Sequence, residues 1–210
     1  MRVSKEKAAE NRERILRSAA RLFREQGIAS TGVDSITKDA GLTHGGLYSQ
    51  FGSKEAIAAE AVRFALARGK RVWQRTLERN PGKRALPAIV DSYLSRAHRD
   101  APGSGCVVAA LGTDIARQPR RVRQAFTREI KADLEFFSRL MAKGNRTISY
   151  ENAIVAFASM AGALILARAV NDEALSDLIL KSTAERVIKR AKVRKAVRRS
   201  RVATTKIKER

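Results

Sequence analysis

A closely spaced set of polar residues near the N-terminus has side chains suited to contacts with nucleic acid. The amide of Gln50 can pair with N6 and N7 of an adenine, and His44 can donate to a base acceptor or to a phosphate. Tyr48 and Lys54 suit phosphate contacts, which position a protein without reading sequence. Two adjacent glycines leave room for the backbone to approach a phosphate closely. The candidate DNA-contacting residues are Thr43, His44, Gly45, Gly46, Tyr48, Gln50 and Lys54.

These residues lie in a segment, about 32–51, whose pattern predicts two short helices joined by a tight turn. Apolar residues recur on one face of the first helix, which stops at Gly41. Thr43 is a good N-cap for the second helix. Leu47 and Phe51, four residues apart, give that second helix a buried face and leave its polar side chains outward. A short amphipathic helix of this kind is typical of the recognition helix of a helix-turn-helix.

The segment from Arg12 to Glu60 resembles the N-terminal DNA-binding domain of the TetR/AcrR family of bacterial transcriptional repressors. A Gly-x-Leu-Tyr-x-x-Phe core followed by Ser-Lys-Glu carries most of the similarity. Two features depart from the common pattern: Gly32 stands where a Ser or Thr usually caps the helix, and Gly45 and Gly46 follow one another in the recognition helix. The matching motifs are RILRSAARLFREQG (Arg14 to Gly27), TGVDSI (Thr31 to Ile36), AGLTHGGLYSQF (Ala40 to Phe51) and SKEA (Ser53 to Ala56).

The resemblance implies an all-α fold with a three-helix DNA-binding domain, followed by a helical ligand-binding and dimerisation domain. We expect the first domain at 9–69, the second at 70–191 and a basic tail at 192–210. It also implies a homodimer that binds a double-stranded palindromic operator and releases it when a small-molecule inducer binds. Two copies of the reading helix, placed ~34–36 Å apart, would read such a palindrome.

Apolar spacing and Gly/Pro breaks divide the rest of the chain into helices. We expect a charged arm over Met1 to Glu10, and a terminal amphipathic helix carrying Leu175, Leu178, Ile179 and Val187. The loop Asp100-Ala-Pro-Gly-Ser-Gly separates two of the helices. The predicted helices between arm and terminus are Arg12–Gln26, Ser53–Arg79, Arg84–His98, Gly105–Ile115, Arg120 to about Lys143, and one capped by Ser149 that reaches about Val170.

The run from Ala153 to Ala167 is apolar almost all round, so it needs cover from more than one side. Ser159, Ala163 and Ala167 recur at four-residue steps, which permits close helix approach. This pattern favours a homodimer interface of four helices across a two-fold axis; a central core helix of the monomer is the alternative. The expected interface residues are Ile154, Phe157, Ala161, Leu164, Leu175, Leu178 and Ile179.

The C-terminal half is expected to hold the inducer pocket. Cys106 also has a second possible role, because a thiol at a helix start has a lowered pKa and could sense electrophiles or oxidants, as some members of the family do. A small buried hydrophobe is the alternative. The candidate pocket residues are Phe64, Trp73, Tyr93, Cys106, Phe126, Phe137 and Met160.

Composition limits the partners and the compartment. The net charge of +22 predicts a polyanionic partner, nucleic acid before acidic membrane, and half of it lies in 181–210. We expect the tail from Ala191 to Arg210 to be a flexible arm that adds salt-dependent DNA affinity, or else a solvated extension. One cysteine, no signal core and an apolar run shorter than ~20 residues favour a cytoplasmic protein without a membrane partner.

Two other function classes compete with a transcriptional regulator. A non-specific nucleoid-type protein would explain the charge, but not the defined helix-turn-helix or the apolar C-terminal helices. An enzyme is disfavoured because the sequence shows no metal-ligand spacing, nucleophile triad or phosphate loop, and His98 near Asp100 and Cys106 is too sparse a set for catalysis. We expect no cofactor and no metal site.

Overall fold

The computed structural model describes residues 5–141 and 146–189, and all regular structure in these ranges is helical. Two short 3₁₀ turns, Gly82–Arg84 and Pro102–Ser104, connect neighbouring helices. The helices are α1 Lys5–Gln26, α2 Val33–Ala40, α3 His44–Phe51, α4 Lys54–Arg79, α5 Ala85–Tyr93, α6 Arg96–Arg99, α7 Val107–Ala116, α8 Arg120–Met141, α9 Arg146–Ala169 and α10 at 173–189.

The first core cluster lies between α1, α2, α3 and the first half of α4. Ile15 and Ile36 are fully buried in it, as the spacing of their helices predicts. Residues of the C-terminal half also enter this cluster: Leu111 of α7 and Val122 at the start of α8 are buried beside the N-terminal helices. The N-terminal helices are therefore packed directly against α7 and α8, and they are not joined to the rest of the chain through α4 alone.

The second core cluster is built by α5, α8, α9 and α10. Ile89, Phe137, Met160 and Leu164 are fully buried there, and Trp73 of α4 packs against them. The ring of Trp73 lies 5.0 Å from Phe137 in an edge-on arrangement and 5.7 Å from Phe136. Aromatic pairs at these distances add packing energy beyond their buried area. The cluster fixes the far end of α4, so α4 spans both cores.

Local capping positions the helix-turn-helix as the sequence predicts. Gly41 ends α2 with a φ of 62°, a left-handed conformation that glycine adopts without strain. The Thr43 hydroxyl caps α3 by accepting a hydrogen bond from the Gly46 amide at 3.4 Å. The Ser53 hydroxyl caps α4 by accepting from the Ala56 amide at 3.1 Å. Gly32 precedes α2 without a side-chain cap.

Three predicted helix boundaries were wrong. Residues 5–10, expected to belong to a charged arm, are already helical in α1, where Lys7 pairs with Glu10 one turn on at 2.8 Å. The helix expected over Arg84–His98 ends at Tyr93, because the Ser95 hydroxyl caps a separate short helix by accepting from the His98 amide at 3.2 Å. Ser149, expected to cap α9, lies within it.

Helix α9 is also longer than the apolar run that predicted it. Its segment Tyr150–Ala169 is long and apolar enough to cross a membrane by length and composition, so the expectation that it was too short for a span was wrong. The core helix of a soluble protein meets the same criterion, and here Ala153, Met160 and Leu164 are buried against the second cluster. The expected end of α8 near Lys143 and the tail 192–210 lie outside the described residues.

Candidate functional site

Helix α3 is held on the protein by its apolar face. Leu47 is fully buried and Phe51 nearly so, within the first core cluster. The guanidinium of Arg12 lies 4.2 Å above the Phe51 ring, donates to the Gln50 carbonyl at 2.9 Å and pairs with Glu60 of α4. One arginine of α1 therefore ties the end of α3 to α4, and this fixes the angle at which the opposite face of α3 meets solvent.

The opposite face of α3 is polar and exposed. Tyr48 is 40 % exposed, unusually open for a large aromatic residue, and its ring lies 5.0 Å from the His44 ring. The Nδ1 atom of His44 lies 2.7 Å from a carboxylate oxygen of Asp34 on α2, which orients the imidazole. Ser49, which the sequence analysis passed over, is exposed beside Tyr48. Its position two residues after the buried Leu47 was a usable signal for an outward side chain.

Gln50 is less open than expected. Its side chain is half-buried, and its Oε1 atom is buried without a hydrogen-bond partner among the described residues. An amide oxygen in this state lacks the compensation that burial normally requires. Rotation of the side chain outward would let both amide atoms reach an adenine edge. It would also remove the free-energy cost of burying an oxygen without a hydrogen bond.

Lys54 lies at the first turn of α4, beside the loop between α1 and α2. Its ammonium donates to the Ala29 carbonyl at 3.1 Å and stays exposed. An ammonium has three donors, so two remain for solvent or phosphate. Gly45 has no atom within 4 Å of the place where a Cβ would stand, and a Cβ on Gly46 would meet only the Thr43 hydroxyl. The start of α3 is therefore open, as the two glycines suggested.

The predicted pocket residues divide between the two cores. Phe64 and Phe126 pack against the first cluster, whereas Trp73, Tyr93, Cys106, Phe137 and Met160 lie in or against the second. The seven candidates therefore do not all lie together, and their contact with an inducer stays a prediction. None of them lines either of the two described cavities, of about 610 and 290 Å³. The larger cavity lies between the α6–α7 connection and the end of α9, and the smaller lies between α9 and α10.

Polar groups nevertheless converge at one edge of the second cluster, around Cys106. The Cys106 amide donates to Nε2 of His98 at 2.9 Å, so the proton on this imidazole is assigned to Nδ1, which donates to the Tyr93 carbonyl at 2.6 Å. Burial lowers the pKa of His98, which favours the neutral ring. The hydroxyl of Tyr93 and Nη1 of Arg168 are buried nearby without hydrogen-bond partners in the described ranges.

The thiol of Cys106 is not activated by its position. Cys106 is the residue before α7 and not part of the helix itself. Burial raises the pKa of the Cys106 thiol, and the Tyr93 hydroxyl and the first amides of α7 offset only part of that effect. The expectation of a lowered pKa was therefore wrong, since loss of hydration outweighs the helix terminus.

Asp133 of α8 is a further polar group that the sequence analysis missed. It is 1 % exposed, and its nearest cation is the ammonium of Lys70 at 3.4 Å, which also lies 3.6 Å from Glu129. Burial raises the pKa of Asp133 to about 6, although Lys70 acts in the opposite direction. Asp133 falls at the same helical spacing as its apolar neighbours on α8, and this was the only sign in the sequence that it would be buried. Within the described residues no three potential metal ligands lie together.

The residues expected at the dimer interface fall into a buried group and an exposed group. Phe157, Ala161 and Leu164 are buried by the chain's own helices, so their prediction as contacts with a second copy was wrong. Leu175 and Leu178 of α10 are exposed, as is Ile154 of α9, and Ile179 packs at the margin of the second cluster. The large hydrophobic residues exposed on α9 and α10 are Ile154, Val155, Ile165, Leu166, Leu175 and Leu178.

Comparison with known proteins agrees with this architecture. Residues 15–61, which span most of α1 to the start of α4, match the family model described as bacterial regulatory proteins, tetR family. An uncharacterized HTH-type transcriptional regulator of Mycobacterium tuberculosis is 29 % identical over 178 residues, which cover 80 % of this chain and 89 % of that one. The HTH-type regulator LmrA of Bacillus subtilis is 48 % identical over 54 residues, or 25 % of this chain and 29 % of that one.

Solved structures extend the similarity to the whole fold. A TetR-family regulator from Cytophaga hutchinsonii superposes with a TM-score of 0.74 at 22 % identity, covering 90 % of this chain and 97 % of that one. Reduced Escherichia coli NemR superposes with a TM-score of 0.72 at 20 % identity, covering 84 % and 94 %. An N-terminal helix-turn-helix domain followed by a helical C-terminal domain is therefore the fold of this chain, and its relatives in sequence are transcriptional regulators.

Proposed function

The chain belongs to the TetR family of DNA-binding transcriptional regulators, and from this premise we propose that it is a homodimeric cytoplasmic repressor of a palindromic operator. The exposed polar face of α3, held in place by buried Leu47 and Phe51, is the observation that carries this proposal. In the proposed repressor, the DNA-binding domain spans residues 9–69. The domain at residues 70–191 contains the dimer interface and the inducer site.

DNA recognition is divided among the residues of this surface. Gln50 reads a base after its amide turns outward, and His44, oriented by Asp34, donates to a second base or to a phosphate. Tyr48 and Lys54 bind phosphates on either side of the groove, and the open backbone at Gly45 and Gly46 lets the start of α3 approach a strand.

Substitutions of Gln50 and Lys54 test this division. The operator is first obtained by selection from random duplex, and binding is then measured on the selected and a scrambled sequence at several salt concentrations. Gln50→Ala should weaken binding to the selected sequence by ~1–3 kcal/mol and leave the scrambled one unchanged. Lys54→Ala should weaken both alike and reduce the salt slope by about one unit per protomer.

Lys131→Ala is the matched control, because Lys131 is exposed on α8, outside the DNA-binding helices and outside the proposed dimer interface. It should behave as the unmodified protein does. Equal losses from Gln50→Ala on both sequences would contradict base reading by that residue. Equal affinity of the unmodified protein for selected and scrambled duplexes would overturn the proposed function altogether.

Dimerisation is assigned to the outer faces of α9 and α10. Among the described residues, every exposed large hydrophobic side chain except Tyr48 and Val72 lies on these two helices. An apolar surface concentrated on one side of a soluble protein is typical of a protein–protein interface. A two-fold axis across it pairs each helix with its copy and holds the two reading helices at a fixed separation.

Release of the operator is assigned to the second core cluster. Among the described residues, the Tyr93 hydroxyl and Nη1 of Arg168 are buried there without hydrogen-bond partners, so a ligand that supplies such partners would gain binding energy. The raised pKa of Cys106 favours a small-molecule inducer over modification of the thiol as the signal. Thiol modification is the second route; if it operates, alkylation of Cys106 must lower operator affinity.

A further inference from the structure

A cluster of exposed arginines at the corner between α7 and α8 has no role in the function proposed above. We define the basic corner as Arg117, Arg120, Arg121 and Arg123, all exposed. Within the described ranges their guanidinium groups form no ion pair, in contrast to Arg17 of α1, which is also exposed and pairs with a carboxylate of its own helix. Unpaired guanidinium groups close together repel one another, and a polyanion relieves that repulsion.

The carboxylate nearest to this corner in sequence does not neutralise it. Oδ2 of Asp114 accepts a hydrogen bond from the Ile28 amide at 2.6 Å, in the loop between α1 and α2. The next residue of that loop, Ala29, accepts from Lys54 at 3.1 Å. The loop is therefore held on one side by the first turn of α4, which faces DNA, and on the other by the last turns of α7, which lead into the corner.

The register of α4 against α8 places the corner at the same level. Lys70 lies beside Asp133, and one turn on Trp73 lies beside Phe137, so the two helices run in the same direction. Carried back to Arg120, the first residue of α8, this register sets Arg120 level with Ile57 in the first turn of α4.

Burial at the start of α8 agrees with that placement. Val122 is fully buried and Ala125 nearly so, in the same cluster as Ile57 and Val62 of α4. The corner thus lies at the end of α8 that packs with the DNA-binding helices, and not at the end of α8 that packs near α10.

We propose that the basic corner is a second DNA-binding surface, which binds phosphates of the duplex just outside the half-site read by α3. The proposal rests on the proposed function for the position of the half-site, and it extends the footprint of each protomer with contacts from the C-terminal domain. Arginine suits this role, because its planar guanidinium donates two parallel hydrogen bonds to a phosphate. Contacts of this kind add affinity without reading bases.

Two operator duplexes of different length test the proposal. The short duplex contains only the selected palindrome, and the long one carries ~10 further base pairs on each side. The test protein carries Arg117→Ala, Arg120→Ala and Arg121→Ala together. The unmodified protein should bind the long duplex more tightly than the short one, with a steeper salt dependence. The triple variant should bind both alike, and its salt slope on the long duplex should fall by ~3 units per protomer.

A control that removes the same number of positive charges elsewhere distinguishes an effect of their position from an effect of net charge. Arg71, Arg75 and Arg79 are exposed on the far half of α4, roughly 25–40 Å along the helix from Lys54. Replacing these three by alanine removes the same charge, yet it should preserve the preference for the long duplex. A second variant, which carries Arg117→Lys, Arg120→Lys and Arg121→Lys together, should retain most of that preference, because the positive charges remain.

The outcomes distinguish DNA binding by the basic corner from sequence-specific binding by α3. The second DNA-binding surface is supported if only the basic-corner variant loses the preference for the long duplex. That variant must also keep its preference for the selected over the scrambled sequence. Equal losses from both alanine triples, or an unchanged length preference in the basic-corner variant, overturn it and leave specific binding by α3 standing. If the basic-corner variant instead loses binding to anionic vesicles and keeps its DNA footprint, the corner is a membrane contact and the proposal fails.

Discussion

Asp133 gives the most direct test of how this core is built, because one substitution removes its charge without changing its size. Asp133→Asn keeps the shape of the side chain between α4 and α8. Burial raises the pKa of Asp133 from 3.8 to about 6, so the folded protein holds a proton that the unfolded chain has released between these two values. A difference of this size between the folded and unfolded pKa corresponds to ~3 kcal/mol of unfolding free energy.

The direction of the pH effect follows from which state binds the proton. Between pH 3.8 and about 6 the folded state binds more protons, so the stability of the unmodified protein falls as pH rises through that range. Below it both states are protonated, and above it both are ionised, so the difference is constant on either side. The variant lacks this titration. Its stability relative to the unmodified protein should therefore rise by up to ~3 kcal/mol between about pH 4 and pH 6.5 and then level off.

Urea unfolding of both proteins at half-unit pH intervals measures this difference. Equal protein concentrations are required, because unfolding of the proposed dimer would depend on concentration. The pKa of about 6 already includes the attraction between Lys70 and the ionised carboxylate, so loss of this partner in the variant adds no separate change with pH. The shape of the curve is therefore the readout. A difference that does not vary with pH would refute the assignment of a buried, partly desolvated carboxylate at Asp133.

The remaining predictions each compare one substitution or reagent with a matched control. Leu166→Glu, on the exposed face of α9, should weaken self-association at least ~100-fold in sedimentation experiments, because a charge is costly in an apolar interface, whereas Val72→Glu on α4 should leave it unchanged. Gly41→Ala should lower the unfolding free energy by ~1 kcal/mol or more, because Gly41 has a left-handed φ and a Cβ would meet Arg14; Gly69→Ala, inside α4 in open space, should raise it by ~0.5–1 kcal/mol. Cys106 should react with a thiol reagent at pH 7 far more slowly in the folded than in the unfolded protein, because burial raises its pKa; rapid reaction of the folded protein would contradict this.

The helix-turn-helix could be predicted from the sequence because its determinants are local. Gly41 stops one helix, Thr43 caps the next and Ser53 caps the third, and each acts within four residues of its own position. The break in the helix expected over Arg84–His98 is also local, but Ser95 has two compatible roles. A serine is tolerated inside a helix and favoured at its cap, and only the packing of Tyr93 and Leu94 into the second cluster decides between them.

The dimer and pocket residues could not be predicted in the same way, because they depend on which neighbours cover each face. Helix α9 is apolar almost all round, so its sequence does not distinguish Leu164, buried by the chain itself, from Leu166, which is exposed. The burial of Asp133 was also hard to predict, for the opposite reason. Its charge suggested a solvated position, and only the approach of α4 along the same face of α8 buries it.

A continuous set of hydrogen bonds joins the proposed inducer site to the DNA-binding helices. Tyr93 holds His98 through its carbonyl, and His98 in turn accepts from the Cys106 amide at the start of α7. Arg168 of α9 donates to the His98 carbonyl at 2.8 Å. A ligand that moves Tyr93 or Arg168 must therefore move the loop between α6 and α7.

That loop rests on the DNA-binding helices. Arg24 of α1 donates to the Gly103 carbonyl through two of its nitrogens, and Asp114 of α7 holds the amide of Ile28. Because α1 packs on α2 and α3 in one core, we expect a displacement of this loop to change the angle of α3 and not only its local surroundings. In a dimer of fixed separation, a change of angle in each protomer is enough to remove the two reading helices from successive turns of the groove.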